Sequence, residues 1–213
     1  MKKSFTLAVL CTLMVSTSVM AHDLNWDNLM IAAVKLQPQF DYEANVDSYM
    51  NIYRSDVWNR YRNDEFELQD KREETIKMMK ERVSSFPLNE EFVVYTSFEF
   101  GDYDFKKQIF PLDSLTEATY FHASNWNHGS FPDTYKVFFS NPSKIGDINM
   151  IKDDARSFLK SRKDRYGNVD RRINAKLQFR ITKLKNGRDE LLAELTHVTI
   201  YSDDQLAKVL QEY

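Results

Sequence analysis

The chain has 213 residues, of which 14% are aromatic while only five are Gly and five Pro, a balance that supplies large buried surfaces and excludes a disordered polymer. Its formal charge of −3 is small because a basic segment and an acidic remainder nearly cancel. Cys11 is the only cysteine and lies in an amino-terminal segment expected to be removed, so disulfides, zinc-thiolate sites and cysteine nucleophiles are excluded together from the mature chain.

Lys2 and Lys3, the apolar run from Phe5 to Val15 and the small polar run from Ser16 to Ala21 occur in the order of a secretory signal peptide. Val19 and Ala21 stand at the minus-three and minus-one positions of a cleavage site, so residues 1–21 are expected to be removed and the mature chain to begin at His22. A signal anchor is the rival reading, because residues 4–21 carry no charge, but six Ser or Thr make them a poor span. Lipid attachment fails because Leu10 precedes Cys11. No later stretch approaches a spanning length, so no transmembrane segment is expected in the mature chain. A cysteine-free exported chain fits a bacterial periplasm.

Asp27 is expected to cap a first helix over Leu29, Met30, Ala33, Val34 and Leu36, which Pro38 ends. No Gly or Pro interrupts Tyr42 to Phe86, and Val46, Tyr49, Met50, Tyr53, Val57, Trp58 and Tyr61 recur at threes and fours. The rhythm falters at Asn63 and Asp64 and resumes with Leu68, Ile76, Met79 and Val83, which predicts one long helix or two joined there. After Pro87, β-branched and aromatic residues dominate. Residues 92–100 and 105–110 flank Gly101-Asp102-Tyr103-Asp104 and read as a hairpin. Further strands are expected over 118–123 and 134–140. Asn149 is expected to cap an inserted helix with Ile151, Ala155, Phe158 and Leu159 on one face, and Gly167 to end that segment.

Ile173, Ala175, Leu177, Phe179 and Ile181 alternate with polar residues, which predicts a strand with one buried and one wet face. A three-residue loop at Lys185, Asn186 and Gly187, with Gly187 left-handed, would pair Phe179 with Ala193 and Leu177 with Leu195, and place His197 opposite Ala175 as a core histidine. Ser202 and Gln205 read as the capping box of a C-terminal helix carrying Leu206, Val209, Leu210 and Tyr213. The fold expected is therefore α+β, with N-terminal helices packed on an antiparallel β-sheet of about six strands, one inserted helix and a C-terminal helix. Residues 22–213 are read as one domain, helical over 22–86 and sheet-forming over 87–213.

Chemistry is constrained mainly by what is missing. The two closest glycines, Gly129 and Gly146, are seventeen residues apart, which removes glycine-rich nucleotide loops and the nucleophile elbow. None of the four histidines opens an H-E-x-x-H motif. His122 and His128 bracket a loop that could hold a site, but as a metal pair they have only Asp133 as a candidate third ligand. A free amino-terminal His22 could chelate Cu(II) through its amine and imidazole, and in that one residue it resembles the copper polysaccharide monooxygenases. A metal set of His22, His122 and His128 therefore stands as the alternative, and a hydrolytic or copper-dependent envelope enzyme as the alternative function. No cofactor is called for.

Between Lys144 and Arg188 there are 14 Lys or Arg against 5 Asp or Glu, whereas the rest of the mature chain has 13 against 27. Arg162, Lys163, Arg165, Arg171 and Arg172 are the candidate binding residues of a basic patch. Its partner would be an unknown protein or an anionic envelope polymer, with no nucleic acid expected in that compartment. The simpler reading is that these cations meet the acidic remainder of the same molecule, the segment from Asp64 to Glu81 above all. The function expected is a non-enzymatic macromolecule-binding or accessory module of the envelope.

Overall fold

A computed structural model describes residues 21–213, so the expected signal peptide, except Ala21, lies outside the described residues. The fold is mixed α+β, with five helices and a curled, mostly antiparallel sheet of eight strands. Strand β1 (His22–Asp23) leads into α1 (Trp26–Lys35), capped by Asn25, whose side chain accepts from the Asn28 N–H at 2.9 Å; Asp27, the expected cap, lies in the first turn instead. Residues 29–34 of α1 are all buried, as a helix that is apolar all round must be, because the sheet covers one side and the next helices the other.

The helical half divides into α2 (Tyr42–Tyr53), α3 (Ser55–Tyr61) and α4 (Glu65–Ser85). The break at Asn63 and Asp64 falls where the apolar rhythm falters, and Asp64 caps α4 through the Glu67 N–H. A second break at Arg54 is an addition, and the Arg54 guanidinium there joins Thr75 and Glu74 of α4, each at 2.7 Å. Val46, Met50, Leu68 and Ile76 form a small apolar cluster of their own, so α2 and α4 make an outer layer over α1.

The sheet comprises β2 (Phe92–Phe100), β4 (Leu112–Asp113), β5 (Tyr120–Ser124), β6 (Thr134–Phe139), β8 (Arg172–Leu184), β9 (Glu190–Tyr201) and β10 (Val209–Glu212) besides β1, in the order β1-β2-β8-β9-β6-β5 with β10 on β9 and β4 on β2. β1 runs parallel to β2 and β6 parallel to β9. β3 (Ile109–Phe110) and β7 (Ile148–Asn149) form a separate ribbon that leads into α5 (Lys152–Ser161). The buried residues of β2, β6, β8 and β9 pack with α1 into one continuous apolar core.

Four expectations need correction. The returning arm of the first hairpin is only Leu112–Asp113, because 101–108 forms a loop held by the Asp104 carboxylate, which accepts from the N–H groups of Lys106 and Lys107, and Ile109–Phe110 pairs with β7 instead. Asn149 lies in β7, and Ile151 occupies the N-cap of α5 with no side-chain cap bond. In the last hairpin Gly187 is left-handed at φ +60, but Phe179 stands beside Leu195 and Ile181 beside Ala193. The loop is longer than expected, and extra residues at Thr182 and Thr196 bulge the two strands. The extra residue at Thr196 puts His197 opposite Gln178 on the wet face, 3.4 Å from Glu212, rather than in the core. Finally, the C-terminal helix is absent: the Asp203 carboxylate accepts from the N–H groups of Gln205, Ala207 and Lys208, folding 202–208 into a turn that returns the chain as β10.

Candidate binding site

A concavity of about 800 Å³ opens beside α5. Its apolar lining comes from Met150, Phe158 and Leu210, with Ile151 at the lip, beside polar Gln108, Asn149, Ser161 and Ser202 and the charged Lys107, Asp154, Asp203 and Lys208. The i, i+4, i+7 spacing of Asp154, Phe158 and Ser161 aims one face of α5 into it. The walls are tied together across long sequence separations. Met150 donates its N–H to Gln108 and accepts the Tyr103 hydroxyl, while Gln211 of β10 accepts from the Asn149 N–H and donates to the Asp147 carbonyl. Tyr213 seals the junction by donating to the Gly146 carbonyl at 2.7 Å; burial, with the Asp147 charge, pushes its pKa up to about 12.

On the other side of α5 a smaller hollow of about 210 Å³ is lined by Tyr103, Phe105, Ala155 and Leu159 under Lys152 and Arg156. Phe105 is 71% exposed and Ile151 60%, so two large apolar side chains stand in water at the lips of these hollows. The nearby aspartates are engaged as acceptors. Partial burial pushes the Asp203 carboxyl up, but its three backbone N–H bonds together bring it below the ordinary value. Asn168 holds Asp164 low through its side-chain amide and N–H, helped by the N–H groups of Tyr166 and Gly167. Carboxylates stabilised in this way are ionised anchors, the opposite of the raised pKa that a general acid needs.

The basic segment is split by the fold. Arg162 is an internal tie: it is 11% exposed and donates to the carbonyls of Asp170 at 2.8 Å, Ser202 at 3.0 Å and Arg172, with its guanidinium over Phe100 and Phe158. Arg171 is likewise drawn inward, donating to Gly101 O at 2.6 Å and Asp102 Oδ1 at 2.5 Å. Lys163, Arg165 and Arg172 are exposed, with Arg165 stacked on the exposed Tyr166. The five residues are therefore not one projecting patch. The segment from Asp64 to Glu81 does not neutralise them either, because the ion pairs of α4 run to Arg54 and Asp47 in the helical half or within α4 itself.

The three histidines are dispersed. His22 is largely buried, stacked on Phe86 at 4.6 Å with Nε2 3.4 Å from Glu90, and its N–H donates to the Glu91 carbonyl. His122 is exposed on β5, at the far end of the strand order from β1, and His128 donates Nδ1–H to the Phe131 carbonyl at 2.8 Å. Among the described residues no three His, Cys, Asp or Glu side chains converge where they could hold a metal ion, and no helix is long and apolar enough to cross a membrane. Sequence reasoning missed the cleft because the loop at Lys107 and Gln108 and the 202–208 turn form two of its walls.

No curated protein and no solved structure matches this chain. One family model does, described as a domain of unknown function (DUF4852), over residues 41–161, which is more than half of the chain and runs from the cap of α2 to the end of α5. That span includes the 101–108 loop, β3, β7 and α5, and hence most of the cleft, and by its extent the chain belongs to the DUF4852 family.

Proposed function

We propose that this chain is an exported, non-enzymatic accessory protein of a bacterial envelope that holds an acidic, partly apolar segment of another envelope protein in the cleft beside α5. The observation that carries the reading is the cleft itself, an apolar lining with Ile151 exposed at its lip and lysines on its rim. Lys107 and Lys208, which line the cleft, join no ion pair among the described residues, nor do Lys152, Lys163 and Arg165 elsewhere around α5; of the two rim aspartates Asp203 is engaged in its turn and Asp154 is unpaired. Unpaired cations around an apolar slot recognise anionic side chains flanking an apolar anchor. Export rests on the order of residues 1–21, and strand β1 begins at His22, the residue that cleavage would expose.

The test is site-specific photocrosslinking in the envelope from position 151, with position 95 on the wet face of the sheet as a control. The crosslinked peptide should be acidic with an apolar centre, and Ile151→Asp in a chain labelled at position 105 should abolish it. Equal crosslinking from both positions, or a basic or purely polar crosslinked segment, would discard the reading. Mass spectrometry of the same sample should show His22 as the first residue.

A further inference from the structure

A second cavity, of about 180 Å³, shares no residue with the cleft and lies where the end of α1, the α1–α2 turn, the 128–133 loop and the tip of the β8–β9 hairpin meet. It has room for about six waters. Phe40 and Phe131, stacked on each other at 6.2 Å, and Val34 form its apolar wall. Its polar lining holds one cation, Arg188, and one carboxylate, Asp41.

Most of the polar groups around it are already satisfied. Asn45 donates to the Asp41 carbonyl and accepts from Ser130, and Gln37 donates to Ala33. Tyr135 is the exception. It is 1% exposed and lines the cavity, yet its hydroxyl forms no hydrogen bond with any described residue. The hydroxyl is open to the cavity rather than sealed among protein atoms, so a ligand there can accept its proton in place of water. Burial holds its pKa far above the usual value, with Arg188 close enough to oppose the shift, so it is a proton donor at neutral pH. Arg188 itself forms no ion pair among the described residues.

We infer that this cavity is a receptor site for a small apolar α-amino acid. Arg188 and the Tyr135 hydroxyl take its carboxylate, the Asp41 carboxylate, which also caps α2 by accepting the Ala44 N–H at 2.9 Å, takes its ammonium, and Phe40 and Phe131 cover its side chain. One positive and one negative group beside an apolar wall match a zwitterion, whereas a simple anion would meet Asp41 and a simple amine would meet Arg188. Such a ligand would clamp the hairpin tip to the helical half.

The experiment is calorimetry and thermal melting of the mature protein with L-leucine, 4-methylpentanoate and isopentylamine, which share one apolar body and differ in charge. L-leucine should bind and raise the melting temperature, and each half-charged analogue should bind about tenfold more weakly or worse, the loss of one charge-assisted hydrogen bond. Arg188→Ala should weaken L-leucine by a similar factor while the free protein melts as before, since this side chain lies at an exposed tip. Tyr135→Phe should weaken binding without lowering the melting temperature of the free protein. No binding of L-leucine at millimolar concentration, equal binding of an analogue, or insensitivity to Arg188→Ala would each overturn the inference. A drop in melting temperature of free Tyr135→Phe would overturn the phenol's part in it.

Discussion

Arg162 and Arg165 look interchangeable in the sequence, yet the fold gives them opposite duties. Arg162 satisfies three carbonyls at the point where α5, the start of β8 and the end of β9 converge. Removing its guanidinium leaves those acceptors without their donor, so Arg162→Met should lower unfolding stability by about 2–3 kcal/mol. Arg165→Met should change it by less than about 0.5 kcal/mol, as exposed substitutions usually do. Urea denaturation of both variants, with unchanged m-values, checks the pair. Tyr213 offers a pH test. Its folded pKa of about 12 lies above the ordinary value of roughly 10, so the neutral phenol is favoured by the fold. Its contribution is complete below about pH 10 and is lost as pH rises through about 12. Tyr42, Tyr53, Tyr103 and Tyr135 are raised by burial and act in the same direction. Tyr213→Phe should therefore lose less stability than the parent protein over that window in alkaline melting curves.

At the scale of elements, tight contacts explain which local signals could be read and which could not. Gly129 has φ +58, and a Cβ there would lie 2.6 Å from the Ser48 Cβ on α2, next to the bond from the Ser130 N–H to Ser48 Oγ. Gly187 is equally left-handed, but its Cβ would meet only the Asp189 carboxylate at 3.2 Å, which can swing away. Gly129→Ala should therefore cost about 2–4 kcal/mol and Gly187→Ala about 1–2 kcal/mol in denaturant melts. Turn glycines such as Gly187 are legible in a sequence, whereas the crowding at Gly129 depends on α2 reaching that loop. The same distinction runs through the fold. The alternation from Ile173 to Ile181 identifies β8, because burial of one face needs only local order. Its register was not legible, because Thr182 and Thr196 suit a regular strand as well as a bulge. Ser202 and Gln205 have capping-box spacing, yet Asp203 competes for the same N–H groups and the pairing of β10 with β9 decides the outcome. The charge run over 144–188 was visible in the sequence. The inward turn of Arg162 and Arg171 was not, since their carbonyl partners lie up to 71 residues away.

For the whole molecule, the question raised by the charge count is whether the basic and acidic halves neutralise each other in space. The ion pairs of the helical half stay within it, Arg54 with Glu74 at 2.7 Å and Arg72 with Asp47 at 2.6 Å. Fixed aspartates hold the turns around the cleft, while Lys107, Lys152, Lys163, Arg165 and Lys208 remain without carboxylate partners among the described residues. Of these, Lys107 and Lys208 stand at the cleft, beside Asp154 and the turn-forming Asp203. Exposed charges of this kind act chiefly on encounter, and they are screened over about 8 Å at physiological salt. The apolar lining, by contrast, acts on residence, because its contacts form only after docking. For the segment captured at the cleft, Lys107→Glu with Lys208→Glu should slow association roughly tenfold and flatten its salt dependence, with little change in dissociation. Phe158→Ala should do the reverse, speeding dissociation and leaving the salt dependence of association intact. Surface plasmon resonance across a salt series separates the two. An association rate indifferent to both salt and charge reversal would mean that the cations at this end of the molecule do not steer its partner.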